Sequence, residues 1–301
     1  MASKQYQALM NAIPGGNVDH NDPLEIVREK MHSIHPTSAS PGTLIEEMDL
    51  DGIEAKSIAT PENAESTRYV MHVHGGAFVS TVIDHYLDYG EHMSRHMNAK
   101  VICFQYRWAD EAPYPAAIED TLTAYRALLA KGIPAERIAF AGDSCGGGIA
   151  LAAICSLRDA GEPTPACLVG LTPWLDAKQT GDAAENPRGK DPFVSPEWIR
   201  ARFKDYAGAS GSLDDPMISP LYAKLHDLPP MYLSVGQVDT TSDDATRLAA
   251  RAGREGASVI VDLAAEMVHG YVGLCGAFPE ATEAMERVGS FVKQRIPDLK
   301  A

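Results

Sequence analysis

Residues 138–149, Ile-Ala-Phe-Ala-Gly-Asp-Ser-Cys-Gly-Gly-Gly-Ile, constrain this chain more than any other stretch. Ile138 to Ala141 is a short apolar run that reads as a buried strand. It ends at Gly142-Asp143-Ser144-Cys145-Gly146, a G-x-S-x-G pattern, and Ile149, Leu151, Ala152, Ala153 and Ile154 then read as a buried helix. A serine on a sharp strand-to-helix turn has its hydroxyl lifted above the sheet, and the flanking glycines let the two elements approach without a Cβ clash. The helix also aims its N-terminal N–H groups at any anion formed beside the serine. The pattern alone arises by chance; between a strand and a helix it points to a nucleophile.

The rest of the chain alternates in the same way. Thr43 to Leu50 and Ile53 to Ala59 read as strands joined at Asp51-Gly52, a hairpin signal. A third strand, Tyr69 to His74, runs into Gly75-Gly76; a helix from about Tyr86 to Met97 and a strand from Val101 to Gln105 follow. From Pro115 to Lys131 the apolar residues Ile118, Leu122, Tyr125 and Leu129 fall on one helical face, and Gly132 closes the helix. After the serine turn come a strand Cys167 to Thr172 and an irregular stretch to Leu228. Within that stretch Ser195-Pro196 opens a helix carrying Trp198, Ile199, Phe203 and Tyr206. Strand Met231 to Gly236, helix Asp243 to Glu255, strand Ser258 to Leu263 and a helix from about Glu280 to Ile296 complete the series. Near the start, Asp22-Pro23 reads as the cap and first residue of a short helix. Strand–helix alternation after a hairpin implies an α/β class, with a mostly parallel sheet covered on both faces. Ligands of such sheets bind beyond the C-terminal strand ends. The length of 301 residues allows one large α/β domain with insertions or two smaller domains.

Three strand ends carry reactive groups. A serine hydroxyl needs a base within hydrogen-bond reach and a third group to orient that base. His269, in Met267-Val268-His269-Gly270-Tyr271, follows the strand Ser258 to Leu263; Asp239, in Gly236-Gln237-Val238-Asp239, follows the strand Met231 to Gly236. The order Ser144, Asp239, His269 is the nucleophile–acid–histidine order of α/β-hydrolases. Asp243 and Asp244 also lie close, but they open a helix and are explained as first-turn carboxylates. His74-Gly75-Gly76-Ala77, after the third strand, reads as the oxyanion hole. Its donors would be the N–H groups of Gly76, Ala77 and Cys145, with Gly75 letting the loop approach. His72 and His74 have a metal-ligand spacing, but no third ligand is suggested nearby, so no metal site is expected.

Composition narrows the partners. A net charge of −15 argues against nucleic acid and anionic membrane. No run approaches the ~18 apolar residues of a membrane span, and the start of the chain lacks a signal-peptide pattern. Five cysteines in apolar context read as core residues of a reduced, cytoplasmic protein.

The motifs together resemble the hormone-sensitive-lipase family of bacterial carboxylesterases. They are His74-Gly75-Gly76-Ala77, Gly142-Asp143-Ser144-Cys145-Gly146-Gly147, the Asp239 segment and Met267-Val268-His269-Gly270. Tyr106-Arg107 with Tyr114-Pro115-Ala116-Ala117-Ile118-Glu119-Asp120, Asp215-Pro216-Met217-Ile218-Ser219-Pro220 and Leu228-Pro229-Pro230 also match its pattern. The resemblance implies an α/β-hydrolase fold of about eight strands and a helical cap. The cap segments would be 1–40 and 175–212, and the core 41–174 and 213–301. It implies no cofactor, and it is compatible with a homodimer. The implied activity is a serine esterase acting on small carboxylic esters. A lactone hydrolase with the same triad is the alternative, and a non-catalytic small-ligand receptor that would lack the histidine is a distant one. Phe193, Trp198, Ile199, Phe203 and Tyr206 are candidates for an apolar substrate pocket, though each is equally explained by packing the cap. Ala77 stands where the family has a third glycine, Cys145 where it has alanine, and Asp239-Thr240-Thr241 where it has Asp-Pro-Leu. Cys145 is expected to line the site.

Overall fold

The computed structural model describes residues 2–12, 19–34, 37–185 and 191–299. Eight strands form one sheet: β1 (Leu44–Asp49), β2 (Glu54–Ala59), β3 (Tyr69–Val73), β4 (Lys100–Phe104), β5 (Ile138–Asp143), β6 (Cys167–Leu171), β7 (Met231–Gly236) and β8 (Val259–Ala264). Their spatial order is β1-β2-β4-β3-β5-β6-β7-β8. The β1–β2 hairpin is antiparallel, β2 pairs antiparallel with β4, and every other pairing is parallel. This is the mostly parallel sheet expected from the alternation of elements, in the α/β-hydrolase arrangement that the family resemblance implies.

Side chains one residue apart on a strand face opposite sides, and the two cores follow that rule. Met71, Val73, Ile138 and Phe140 join the apolar cluster that includes α4 (Ala116–Ala130), α5 (Cys145–Asp159) and α8 (Ser242–Arg254). Val70, Ala139 and Ala141 join the cluster on the other face, with α3 (Leu87–Met97) and α9 (Pro279–Arg295). Buried inside α5, Leu151, Ile154 and Leu157 are completely inaccessible to solvent. Truncating any one to alanine would cost about 2–5 kcal/mol.

Element ends differ from the sequence reading by one or two residues, as fraying turns do. Two differences at the start of the chain go further. Helix α1 (Lys4–Ala12) was not expected; Ser3 caps it by accepting the Tyr6 N–H at 3.1 Å. The expected second helix, α2 (Leu24–Ile34), is present, but Asp22 is not its cap. The Asp22 carboxylate accepts instead from the Asp19 N–H at 2.8 Å and from Lys30 Nζ at 2.7 Å, because a cation one helix-length away is the stronger partner. Between β6 and β7 the chain forms α6 (Asp182–Glu185) and α7 (Pro196–Ala207). As the sequence suggests, Ser195 caps α7, accepting the Trp198 N–H at 3.2 Å.

Candidate active site

Ser144 sits between β5 and α5 with φ 53° and ψ −127°. That backbone is costly for a residue with a Cβ, on the order of 1–3 kcal/mol. It is held by the Ser144 N–H donating to the Leu171 carbonyl at 3.0 Å and by the Trp174 N–H donating to the Ser144 carbonyl at 2.9 Å. Gly146 is required for the same close approach, since a Cβ there would run into the carbonyl oxygens of Val73 and His74.

Two loops from beyond β7 and β8 meet the serine. Its Oγ–H donates to His269 Nε2 at 2.9 Å, and His269 Nδ1–H donates to Asp239 Oδ2, also at 2.9 Å. The other oxygen of Asp239 accepts the N–H and the hydroxyl of Thr241, at 2.8 and 2.9 Å. The departure from Asp-Pro-Leu therefore adds a donor that leucine could not supply. Asp243 and Asp244 point elsewhere: Asp244 is buried and accepts the N–H groups of Leu175 and Asp176, both at 3.0 Å, while Asp243 accepts from Ala183 N–H at 3.3 Å. All three members of the Ser144, His269, Asp239 series are buried. Burial alone would lower the pKa of His269, but the charge and hydrogen bond of Asp239 outweigh it, and Asp191 and Asp143 add to the upward shift.

Asp191 was not read from the sequence as part of the site. One of its oxygens accepts the His269 backbone N–H at 2.7 Å; the other accepts the N–H groups of Phe193 and Val194 at 2.8 and 3.2 Å. Its carboxyl is raised to about 6 by burial and by the nearby charge of Asp239. No motif marks it, because its role depends on a contact across 78 positions of sequence.

Beneath the serine, Asp143 ties the nucleophile turn to the glycine loop. It accepts His72 Nε2–H at 2.8 Å and the Gly75 N–H at 3.0 Å on the same oxygen. The Gly75 N–H is therefore committed to Asp143 and is not a donor to a ligand, which sets Gly75 apart from the other sequence candidates, Gly76, Ala77 and Cys145. Burial pulls the His72 pKa down, yet its bonds to Asp143 and Cys103 carry it up to about 9. His74 is pushed down to about 4 by burial, stacks on Tyr106, and donates Nδ1–H to the Gly75 carbonyl at 2.8 Å. Both rings of the H-x-H pair thus help to hold the loop, His72 through Asp143 and His74 through the Gly75 carbonyl. Ala77 and Phe78 adopt φ of 54° and 68°. Left-handed backbone costs such residues ~1–2 kcal/mol each.

Cys145 corrects an expectation. Its side chain does not line the site; it is fully buried. The sulfur accepts the Phe78 N–H at 3.3 Å and lies 3.7 Å from the Tyr106 hydroxyl, so it braces the glycine loop from below. Burial pushes its thiol up to about 12, which leaves it protonated.

Of the five apolar candidates from 193–206, Trp198, Phe203 and Tyr206 form part of an aromatic wall. Trp198, Ile199, Phe203 and Tyr206 are almost wholly buried and Phe193 partly so. Tyr206 stacks on Phe78 at 4.1 Å, and Phe203 and Trp198 pack against Trp174 at 5.8 and 5.6 Å. Trp174 itself lies 5.9 Å from the His269 ring. Trp174 and Phe78 were missed, although both follow strand ends, the criterion that found the polar residues.

Residues 70–273 match a family model described as the alpha/beta hydrolase fold. Esterase LipI of Mycobacterium tuberculosis is 33% identical over 297 residues, which cover 93% of this chain and 90% of that protein. An acetyl-hydrolase of Streptomyces hygroscopicus is 32% identical over 226 residues, 75% of each chain. Among solved structures, an esterase from the bacterial hormone-sensitive lipase family superposes with a TM-score of 0.89 at 31% identity, covering 98% of this chain and 99% of that one.

Proposed function

The chain belongs to the hormone-sensitive-lipase family of α/β-hydrolases and is a carboxylic ester hydrolase; we propose that it works through an acyl-enzyme on Ser144 and prefers short-chain esters. The observation that carries this reading is the continuous hydrogen-bonded series Ser144–His269–Asp239. His269 takes the proton of Ser144 as the oxygen attacks the ester carbonyl. Asp239 keeps Nδ1–H in place and stabilises the imidazolium, which then protonates the leaving alcohol. Water repeats the cycle to release the acid.

The developing oxyanion would be met by the N–H groups of Gly76, Ala77 and Cys145, at the start of α5 where the helix dipole adds to them. Asp191 acts as a positioning residue, fixing the backbone from which the His269 ring projects. The segments 1–40 and 175–212 would form the cap, whose Trp198, Phe203 and Tyr206 meet Phe78 and Trp174 of the core in the aromatic wall. The name of the Streptomyces relative, an acetyl-hydrolase, supports the preference for short acyl groups. Among the described residues no helix is long and apolar enough to cross a membrane. Five free, buried cysteines suit a reducing, cytosolic compartment.

The test is a panel of p-nitrophenyl acetate, butyrate and decanoate with ε-lactones alongside, run on wild type and Ser144→Ala. Acetate or butyrate should be turned over fastest. Ser144→Ala should lower kcat by ~10⁴ or more, and an organophosphate should label Ser144 once per chain. Ser144→Ala activity within tenfold of wild type would overturn the mechanism; preference for decanoate or lactone would overturn the substrate class.

A further inference from the structure

A second group of chemistry-bearing side chains lies outside the Ser144 site. On α3, Asp88, His92 and His96 recur every four residues and so share one helix face. The loop after His269 makes one turn of 3-10 helix, Tyr271–Leu274, and delivers Cys275 to that face. A ring nitrogen of His92, one of His96 and the Cys275 sulfur all lie within 4.8 Å of one another. We propose that His92, His96 and Cys275 form a binding site for a borderline-soft divalent cation, zinc(II) foremost.

The geometry suits the ion. With Zn–N about 2.1 Å and Zn–S about 2.3 Å, tetrahedral ligation sets the N···S edge near ~3.6 Å. His96 Nε2 and Cys275 Sγ stand 3.7 Å apart, and the other edges close by roughly 1 Å through side-chain rotation. His92 Nε2 faces Asp88 Oδ2 at 3.9 Å, the place of an outer carboxylate that orients a ligating imidazole. His92 Nδ1 is buried and has no hydrogen-bond partner among the described residues, so the imidazole has a ring nitrogen free for the cation. Gly276 makes room, since a Cβ there would press on the His92 ring at 3.2 Å. Two imidazoles and a thiol exclude magnesium and calcium, which take oxygen ligands. Binding would release the thiol proton to solvent, with a water molecule in the fourth position.

The site would clip α3 to the loop that begins at His269, six residues before Cys275. It is independent of the esterase reading, because none of its ligands touches Ser144 or Asp239.

The test uses the full chain stripped with a chelator and titrated with cobalt(II), then zinc(II). One equivalent of cobalt should produce a near-ultraviolet thiolate charge-transfer band, which zinc then removes. A hundredfold excess of zinc over its Kd should raise Tm by roughly 5 °C. Cys275→Ser should lose the band, and His92→Asn, at a more exposed position, should weaken cobalt binding at least tenfold. Melting curves in chelator establish that each variant is folded. Absence of the band in wild type, or its persistence in Cys275→Ser, would overturn the site. So would unaltered affinity in His92→Asn.

Discussion

Two carboxylates hold His269, and they hold different parts of it. Asp239 comes from the loop after β7 and bonds the ring; Asp191 comes from the segment between β6 and α7 and bonds the backbone N–H. The ring contact bears directly on the charge that the imidazole gains during turnover. The backbone contact bears on that charge only through the nearby carboxylate of Asp191, and it decides where the ring can be. One acid group was legible in the chain as chemistry, and the other serves posture. Removing each in turn separates the two jobs.

The largest expected effect is at the ring. Asp239→Asn keeps the shape but loses the charge, and with its amide oxygen held by the Thr241 donors it turns an NH2 donor toward His269 Nδ1–H, so kcat should fall by ~10³–10⁴ with the fold intact. A loss of less than tenfold would mean that Asp191 can substitute for Asp239. Asp191→Ala should follow, lowering kcat by roughly 10- to 100-fold with KM within threefold, as the ring loses its register. Steady-state kinetics on p-nitrophenyl butyrate measures both, and an effect confined to KM would instead make Asp191 a substrate contact.

A pH profile sharpens the comparison further. The base is neutral His269, whose pKa is raised chiefly by Asp239 against the opposing pull of burial. Activity should therefore be lost as pH falls through a value above the ordinary ~6.5. The nearby carboxylate of Asp191 adds to that upward shift. Asp191→Asn removes this charge and should move the acid midpoint of kcat/KM to lower pH. Superimposable profiles would show that Asp191 acts through geometry alone.

The smallest effect belongs to Thr241, which holds Asp239 from behind. Thr241→Val deletes one hydrogen bond and leaves the backbone N–H bond, so it should cost about 1 kcal/mol of stability and less than fivefold in kcat. A larger drop in kcat than that of Asp191→Ala would reverse the ranking.

Helix α1 shows why some of the fold was illegible. It buries only Tyr6, whose hydroxyl donates to the Glu266 carbonyl at 2.9 Å and whose ring meets Phe278 edge-on. Its helical state rests on partners more than 250 residues away, and the one local signal, Ser3 as a cap, is weak by itself. By contrast, α5 and β5 carry their own pattern, and both were read with small errors at their ends. Cys145 stands between these cases: its position after the serine was plain, but which way its side chain turned was not.

The amino-acid sequence alone determined the sheet, the serine turn and the residues Ser144, Asp239 and His269, because strand and helix periodicity and turn chemistry act over a few neighbouring positions. Tertiary structure alone decided that Asp191 grips the His269 backbone, that the Cys145 sulfur turns inward, and that His92, His96 and Cys275 meet. Those contacts join segments whose separation along the chain carries no periodic trace, and only the packing of loops and helices on the finished sheet brings them within bonding distance.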